Sequence, residues 1–539
     1  VGAVLMSAIS EEKYMSISPA EFFYKYREVA GFANPVKAFY QVVKELIDNA
    51  LDATDMHGIL PDVKISIEKA DEVQEYYKIT VEDNGIGIPP DVVPYAFGKV
   101  LFSSKYVMKQ SRGMYGLGVK MVVLYAQMTT GRPVEVITSR ENYRMIYYFK
   151  LRIDINKNEP VIIERGAWRK TRDWHGTVVS VTIEGDWSRA KQRILEYLSR
   201  TSIITPYANI TLITPENEII HYSRVTNAMP KPPRESKPHP RGIDLEMFKT
   251  LINNNGNGEE PVEEFLTSNF QSIGPSTARA ILNLAKIDPY KKLHELTESE
   301  IQRLFNIIKS YDKYKPPSAT SLSPLGREVL EAGLKRIFEP EFLYAVTRSP
   351  RSYEGNPFIV EAAISYGGNT PMSPQEQPII LRYANRVPLI YDESTDVVTQ
   401  VVKEDVNWES YMISFPAPLA IVVHICSTKI PFKGVGKESI ADIPEIRREV
   451  KLAIMEVARE LKRYLVKKVK EKEVMRRVEI LAKYIPEVAR SLAIILGDNS
   501  SKNRIEAALT RKLIEYVSRR SNVSVEIVNS IVRSVEIGV

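Results

Sequence analysis

The sequence predicts an α+β chain of several domains, and three observations carry that prediction. At 539 residues and 44% hydrophobic content, the chain holds more apolar material than one core accommodates. Helical and strand-like periodicities succeed one another through the first part of the chain. A proline-rich break then separates that part from a run of short helical patterns and a further mixed segment that ends in a long charged helix.

From Pro35 to His57, Val36, Phe39, Val42, Val43, Leu46, Ile47, Ala50 and Leu51 recur at three- and four-residue intervals, which predicts an amphipathic helix stopped by Gly58. Alternation in 63–67 and 77–81 predicts two strands, the second ending in a glycine-bearing turn, with further strands near 133–139, 144–153, 160–165 and 177–183. This order fits a sheet with helices on one face. Residues 228–240 hold five prolines and can form neither helix interior nor central strand, so they read as a linker. Short helical patterns fill 242–311. Pro316-Pro317 opens a third unit, with a helix near 324–338, strands near 357–365, 378–383 and 418–426, and a long helix from about 443. The expected boundaries are therefore 1–34, 35–227, 228–315, 316–480 and a helical tail at 481–539.

The 73 basic and 67 acidic residues leave a formal charge of +6 and are interspersed along the chain. That permits a DNA partner without requiring one. The lone Cys426 excludes an internal disulfide framework and a cysteine-based zinc site. With no apolar run of about 18 residues and no secretory signal pattern, the expectation is a soluble, cytoplasmic protein. The chain opens on Val1, and Met6-Ser7-Ala8 would make a natural start, so residues 1–5 are set aside.

Three segments carry chemistry. Glu45 and Asn49 lie four apart on the first helix and share a face. A carboxylate there can take a proton from attacking water, and an amide oxygen one turn on can coordinate magnesium; on a surface helix the same pair would simply face solvent. Asp83-Asn-Gly85-Ile-Gly87 places an acid at a strand end before two glycines, where backbone can approach a flat ligand and the carboxylate can accept from an exocyclic amine. The plain alternative is an Asn-Gly turn, but the run continues as Ile-Pro-Pro rather than as a paired strand. Gly113-Met114-Tyr115-Gly116-Leu117-Gly118-Val119-Lys120, preceded by Ser103-Ser104-Lys105, leads into a helix, so its N–H groups and Lys120 suit phosphates. No GxxxxGK[ST] pattern occurs, which disfavours a P-loop.

In this order and spacing, E-x-x-x-N, D-x-G-x-G and G-x-x-G-x-G resemble the Bergerat ATP-binding fold shared by gyrase, MutL, heat-shock chaperones and histidine kinases. The resemblance implies ATP and Mg2+ as ligands, with Glu45 as general base, Asn49 as magnesium ligand, Asp83 as the adenine-reading carboxylate and 103–120 as the ATP lid. His175-Gly176-Thr177 looks like the last motif of that pocket, with Thr177 supporting Asp83. The segment Ser272-Ile-Gly274-Pro-Ser-Thr-Ala-Arg resembles the glycine turn of a helix-two-turn-helix module, although a helical spacer with a capped turn would look the same. Ser427-Thr-Lys429, following the strand 420–426, looks like a transducer lysine that reaches the γ-phosphate; a lysine past a strand end is otherwise an ordinary solvated charge.

Pocket, helical insert and transducer in this order are similar to the B subunits of archaeal type IIB topoisomerases over residues 7–485. That resemblance makes 1–34 an N-terminal strap, 35–227 the ATPase sandwich, 228–315 linker and helical insert, and 316–480 the transducer with its stalk helix. It implies ATP-dependent self-dimerisation, double-stranded DNA as substrate, and a separate A subunit that cleaves DNA, two A with two B chains. The family often carries W-K-x-Y at the stalk. Here Trp408-Glu409-Ser410-Tyr411 places a glutamate there, which repels phosphate. The alternative from the same motifs is a MutL-like or chaperone-like clamp without strand passage; a DNA-binding scaffold with a dead pocket is disfavoured by the intact Glu45.

Overall fold

The computed structural model describes residues 16–103, 108–113, 116–255, 258–373, 376–434 and 437–520, with a few positions beyond. The described residues up to Val406, together with Phe415–Val457, make one compact unit; Asn407–Ser414 and the residues from Ala458 onward make a second.

Helix α1 (Pro19–Lys25) starts at Ser18, whose hydroxyl accepts from the Glu21 N–H at 3.0 Å. Helix α2 (Pro35–Asp55) starts with Asn34 as N-cap and proline at the first turn, where a missing N–H costs nothing. The expected apolar stripe of α2 is buried, and so are Gln41, Lys44, Glu45, Asp48, Asp52 and Asp55. The amphipathic pattern implied a solvated polar face. Instead that face is turned inward, and buried polar side chains require partners.

Strands β1 (Asp62–Lys69) and β2 (Tyr76–Asp83) pair antiparallel. After α3 (Val93–Gly98) and α4 (Gly118–Thr130) come β3 (Val134–Ser139), β4 (Met145–Asp154), β5 (Glu159–Arg169) and β6 (Gly176–Glu184). Helix α5 (Trp187–Ile204), β7 (Asn209–Ile213) and β8 (Ile219–Tyr222) complete the layer. The eight strands run β5-β4-β3-β6-β2-β1-β7-β8, with β1 and β7 parallel and the other pairs antiparallel. Phe39, Val43 and Ile47 of α2 share one core with Ile65, Ile79, Val122, Val136, Val181 and Ile194.

The linker enters α6 (Leu245–Asn253), α7 (Val262–Asn269), α8 (Pro275–Ala285) and α9 (Glu298–Ser310), which pack around their own core of Phe248, Phe265, Leu266, Ile281 and Leu304. Next come α10 (Arg327–Phe338), β9 (Phe342–Thr347), β10 (Arg351–Tyr353), β11 (Asn356–Tyr366), β12 (Ile379–Ala384) and β13 (Val387–Pro388). A short α11 (Val397–Gln400) and β14 (Leu419–Ser427) follow. These strands form a second sheet, β10-β11-β14-β12-β13, with β9 also on β11. Strands β11 and β14 are buried nearly throughout, which explains their almost unbroken apolar runs. Helix α12 (Pro444–Ile495) is 52 residues long and includes Pro486; α13 (Lys502–Arg520) follows. In the second unit Val478 and Ala482 of α12 pack with Val517 of α13, so the tail's helical pattern is a partner for the long helix. Among the described residues no helix is long and apolar enough to cross a membrane.

Candidate active site

The inward polar face of α2 builds the site. The Gln41 amide donates to Glu45 Oε1 at 2.8 Å, and the Lys44 ammonium lies 3.4 Å from the same oxygen and 3.0 Å from Asp48 Oδ2. Burial opposes the charge on Lys44, but Asp48 and Glu45 outweigh it and hold its pKa above the ordinary value. Lys44 is thus a fixed cation beside Glu45. One turn on, Asn49 Nδ2 donates to the Glu45 carbonyl at 2.9 Å.

The other Glu45 oxygen lies against the start of α4. A Cβ on Gly118 would fall 1.7 Å from Glu45 Oε2, so only glycine lets the helix approach the carboxylate this closely. Three segments far apart in sequence therefore converge, because α2 also carries Ala53 against Gly85 of the turn after β2.

Asp83 ends β2 and is buried. Its Oδ1 accepts from the Gly85 N–H at 2.8 Å and the Thr177 N–H at 3.3 Å. Burial pushes its pKa up to about 7, while the two N–H bonds pull the other way. Thr177 meets Asp83 through its main chain, whereas its hydroxyl pairs with Thr138 Oγ1 at 3.2 Å. Gly87 has φ +69°, and a Cβ there would lie 2.1 Å from the Ser139 carbonyl oxygen; that backbone demands glycine. His175 Nδ1 and the Gly85 carbonyl are 2.8 Å apart, and the Ile88 N–H donates to Thr138 Oγ1. The 83–88 turn is thus anchored on β3 and β6.

In the glycine-rich segment, the Gly113 carbonyl accepts from Ser111 Oγ at 2.7 Å, and Gly116 packs on Ser103. Leu117 and Val119 lean on the core, and Lys120 is buried in the first turn of α4. Ser104, Lys105, Met114 and Tyr115 lie outside the described residues. Lys429 follows β14 with its side chain exposed. Its N–H donates to Ser427 Oγ at 3.1 Å and its carbonyl accepts from the Tyr353 hydroxyl.

Several buried residues around this site carry no local motif. The Arg112 guanidinium reaches Asp52 at 3.2 Å and Asp55 at 2.7 Å, and Arg386 reaches the same Asp55 oxygen at 2.9 Å. The one readable signal was Asn385 between two apolar runs, a residue type that tolerates the left-handed backbone of a turn. In the helical insert, Gly274 caps α8 and Ser272 has φ +59°, a tight turn as expected. In the second unit, Trp408 and Tyr411 are buried with ring centroids 6.4 Å apart, while Glu409 and Ser410 are exposed. Lys462 Nζ donates to the Ser410 carbonyl at 2.8 Å.

Residues 34–159 match the histidine kinase-, DNA gyrase B- and HSP90-like ATPase family, and residues 317–477 match the topoisomerase VI B-subunit transducer. Over 519 residues the chain is 51% identical to the B subunit of type 2 DNA topoisomerase 6 from Sulfurisphaera tokodaii, spanning 96% of this chain and 97% of the relative. The chain belongs to the topoisomerase VI B-subunit family. Proteins of the same description from Saccharolobus islandicus and Saccharolobus shibatae are each 52% identical over 514 residues, 95% of this chain and 96% of theirs. This member of the family thus carries an ATPase region, which contains Glu45, Asn49, Asp83 and the glycine segment, and a transducer region, which contains Asn385, Arg386 and Lys429.

Proposed function

We propose that the chain is the ATP-driven gate of a DNA topoisomerase. It binds ATP in the α2–β2–α4 pocket, closes on a second copy, passes one duplex through another cut by a separate A subunit, and opens on hydrolysis. The observation that carries this reading is the Glu45 carboxylate seated on Gly118 at the N-terminus of α4, one turn before Asn49. A carboxylate at a helix N-terminus is placed to act where a terminal phosphate would bind.

In the proposed chemistry, water attacks the γ-phosphorus, the bond to the ADP oxygen breaks, and Glu45 takes the proton. Lys44 and Gln41 hold that carboxylate in place. Asn49 fits the role of a magnesium ligand: with Nδ2 committed to the Glu45 carbonyl, the amide oxygen is its hard-donor atom. Magnesium, when bound, neutralises phosphate charge. Asp83 reads the adenine amine, Gly85 and Gly87 let backbone approach the base, and Gly113 to Lys120 with Ser104 and Lys105 enclose the phosphates. Lys429 contributes a point charge to the γ-phosphate, a contact that ADP cannot make. The helical insert and the assembly of two A with two B chains on double-stranded DNA belong to the same proposal.

The test is plasmid topology. With magnesium and ATP, the pure chain should leave supercoiled plasmid unchanged, and adding the A subunit should relax it. Nicking that follows the pure chain through a sizing column would overturn the division of labour. Hydrolysis without relaxation in the complete complex would point to a clamp.

A further inference from the structure

The β12–β13 turn, Asn385-Arg386, has two consecutive left-handed residues, with φ +47° and +69°. Asparagine tolerates that backbone and arginine does not favour it. Strain of this kind persists only where surroundings hold it. Here the Arg386 N–H donates to His424 Nε2 at 3.1 Å, and His424 Nδ1 lies 2.8 Å from Glu361, a buried carboxylate that also accepts from the Leu325 and Gly326 N–H groups.

The two side chains of this turn then leave the transducer. The Arg386 guanidinium donates to Asp55 on α2 at 2.9 Å and to the Ser323 carbonyl at 3.2 Å. Asn385 Nδ2 donates to the Ser111 carbonyl at 3.3 Å and to the Ser427 carbonyl at 2.9 Å, while its Oδ1 accepts from the Ser427 N–H at 3.0 Å. Ser427 Oγ in turn accepts from the Lys429 N–H. One turn therefore touches the pocket helix, the residues just before the glycine segment, and the strand end that carries Lys429. Asp55 serves Arg112, Arg386 and Tyr207 with Oδ2, and among the described residues Oδ1 finds no partner.

We infer that the Asn385-Arg386 turn is the joint that couples the nucleotide pocket to the transducer, with Asn385 and Arg386 as positioning residues that register Ser111–Arg112 against the Lys429 strand end. The inference rests on the ATP-gated reading above. Neither residue touches nucleotide; each fixes where the lid base stands relative to β14.

Two substitutions keep the left-handed backbone and remove one side chain. Arg386→Asn leaves Asp55 paired with Arg112 and Tyr207, and Asn385→Gly removes only an amide. In the complex with the A subunit, both should bind and hydrolyse ATP as the parent does, yet spend more ATP per relaxation event, by roughly 5–150-fold, the usual range of coupling between sites. On the full chain, the small-angle scattering shift between a non-hydrolysable ATP analogue and ADP should shrink, and Arg386→Lys, which keeps charge on Asp55 but loses the fork to Ser323, should restore part of it. Parental coupling in either folded variant overturns the inference, and so does loss of ATP binding, which would place the turn in the pocket. If Arg386→Asn does not fold, Asn385→Gly decides by the same measures. A parent without any nucleotide-dependent shift would bring down the ATP-gated reading itself, and the joint with it.

Discussion

One helix serves two sites of opposite character. Near its middle, α2 sets Glu45 and Asn49 at the proposed ATP site, where the Gln41 amide and the Lys44 ammonium hold Glu45 and main-chain N–H groups hold Asp83; near its end it presents Asp52 and Asp55 to two guanidinium groups. The second cluster balances two acids with two bases in a closed interior. The first leaves an acid under-neutralised, as the displaced pKa of Asp83 records. Charge balanced by opposite charge inside a protein is costly to break, and a buried acid with a displaced pKa is a candidate for ligand contact. Removing a pocket group should therefore cost chemistry, and removing a group at the joint should cost stability.

The largest expected effect tests the pocket side. On the proposed reading, Glu45→Ala lowers ATP turnover by roughly 10²–10⁴-fold while nucleotide affinity and melting temperature stay near parental. Calorimetric binding with steady-state hydrolysis checks both, and unchanged turnover would remove Glu45 from the role of base. Asp55→Ala tests the other side. It takes the carboxylate partner from Arg386 and leaves Arg112 with Asp52, and it should destabilise the chain by roughly 3–5 kcal/mol, the usual cost of breaking a buried pair, read from denaturant unfolding. A variant as stable as the parent would mean the joint holds no architecture.

Gly118→Ala sharpens the comparison because it adds bulk where the pocket is tightest. The added Cβ would strike Glu45 Oε2, the far end of a flexible side chain, so the fold should tolerate the change while the carboxylate is displaced. A misplacement of about 1 Å costs on the order of 10²-fold in rate. Turnover should fall by that order with little loss of stability. A large drop in melting temperature would show that Gly118 serves packing rather than position.

How much of this could be read from sequence follows the same division. The segments that converge around Glu45 were legible because their signals are local: Glu45 and Asn49 share a helix face by spacing, and Asp83 with Gly85 and Gly87 lies within one turn. The long helix was legible from its period, and the buried strands β11 and β14 from their apolar runs. Strands β7 to β9 were not singled out, since short apolar runs carry weak periodicity, whereas helix α5 was passed over although Ala190, Ile194, Tyr197, Leu198 and Thr201 recur at helical spacing. The burial of the polar face of α2 was invisible for a deeper reason. Asp55 finds Arg386 across 331 residues of sequence, and no pattern in a single chain announces which distant arginine will neutralise a given aspartate. Trp408 and Tyr411 make the converse point: the family's W-K-x-Y pattern drew attention to this segment and Glu409 put a DNA contact there in doubt, but nothing in the sequence announced that both rings are buried, with Glu409 and Ser410 exposed between them.

The smallest effect is a pH dependence, and it separates the two regions by sign. The folded-state pKa of Asp83 is raised to about 7 by burial, from an ordinary value of about 3.9. Below the ordinary value the carboxyl is protonated whether the chain is folded or not, and the burial of the neutral form costs the fold no charge. Between that value and about 7 the unfolded carboxyl is ionised while the folded one keeps its proton, so the stability that depends on this group is lost progressively as pH rises and is gone once the buried acid ionises near 7. The adenine amine, in contrast, is a donor and prefers the ionised acceptor. On the proposed reading, ATP affinity should rise by up to about tenfold per pH unit below about 7 and level off above it, because binding releases the proton. Asp83→Asn cannot titrate, so the parent-minus-variant difference isolates this group from the phosphates. Binding isotherms and melting curves from pH 5.5 to 8.5 should thus diverge, affinity rising while ligand-free stability falls relative to the variant. Parallel curves for parent and variant in both measurements would show that Asp83 neither titrates in this window nor reads the base.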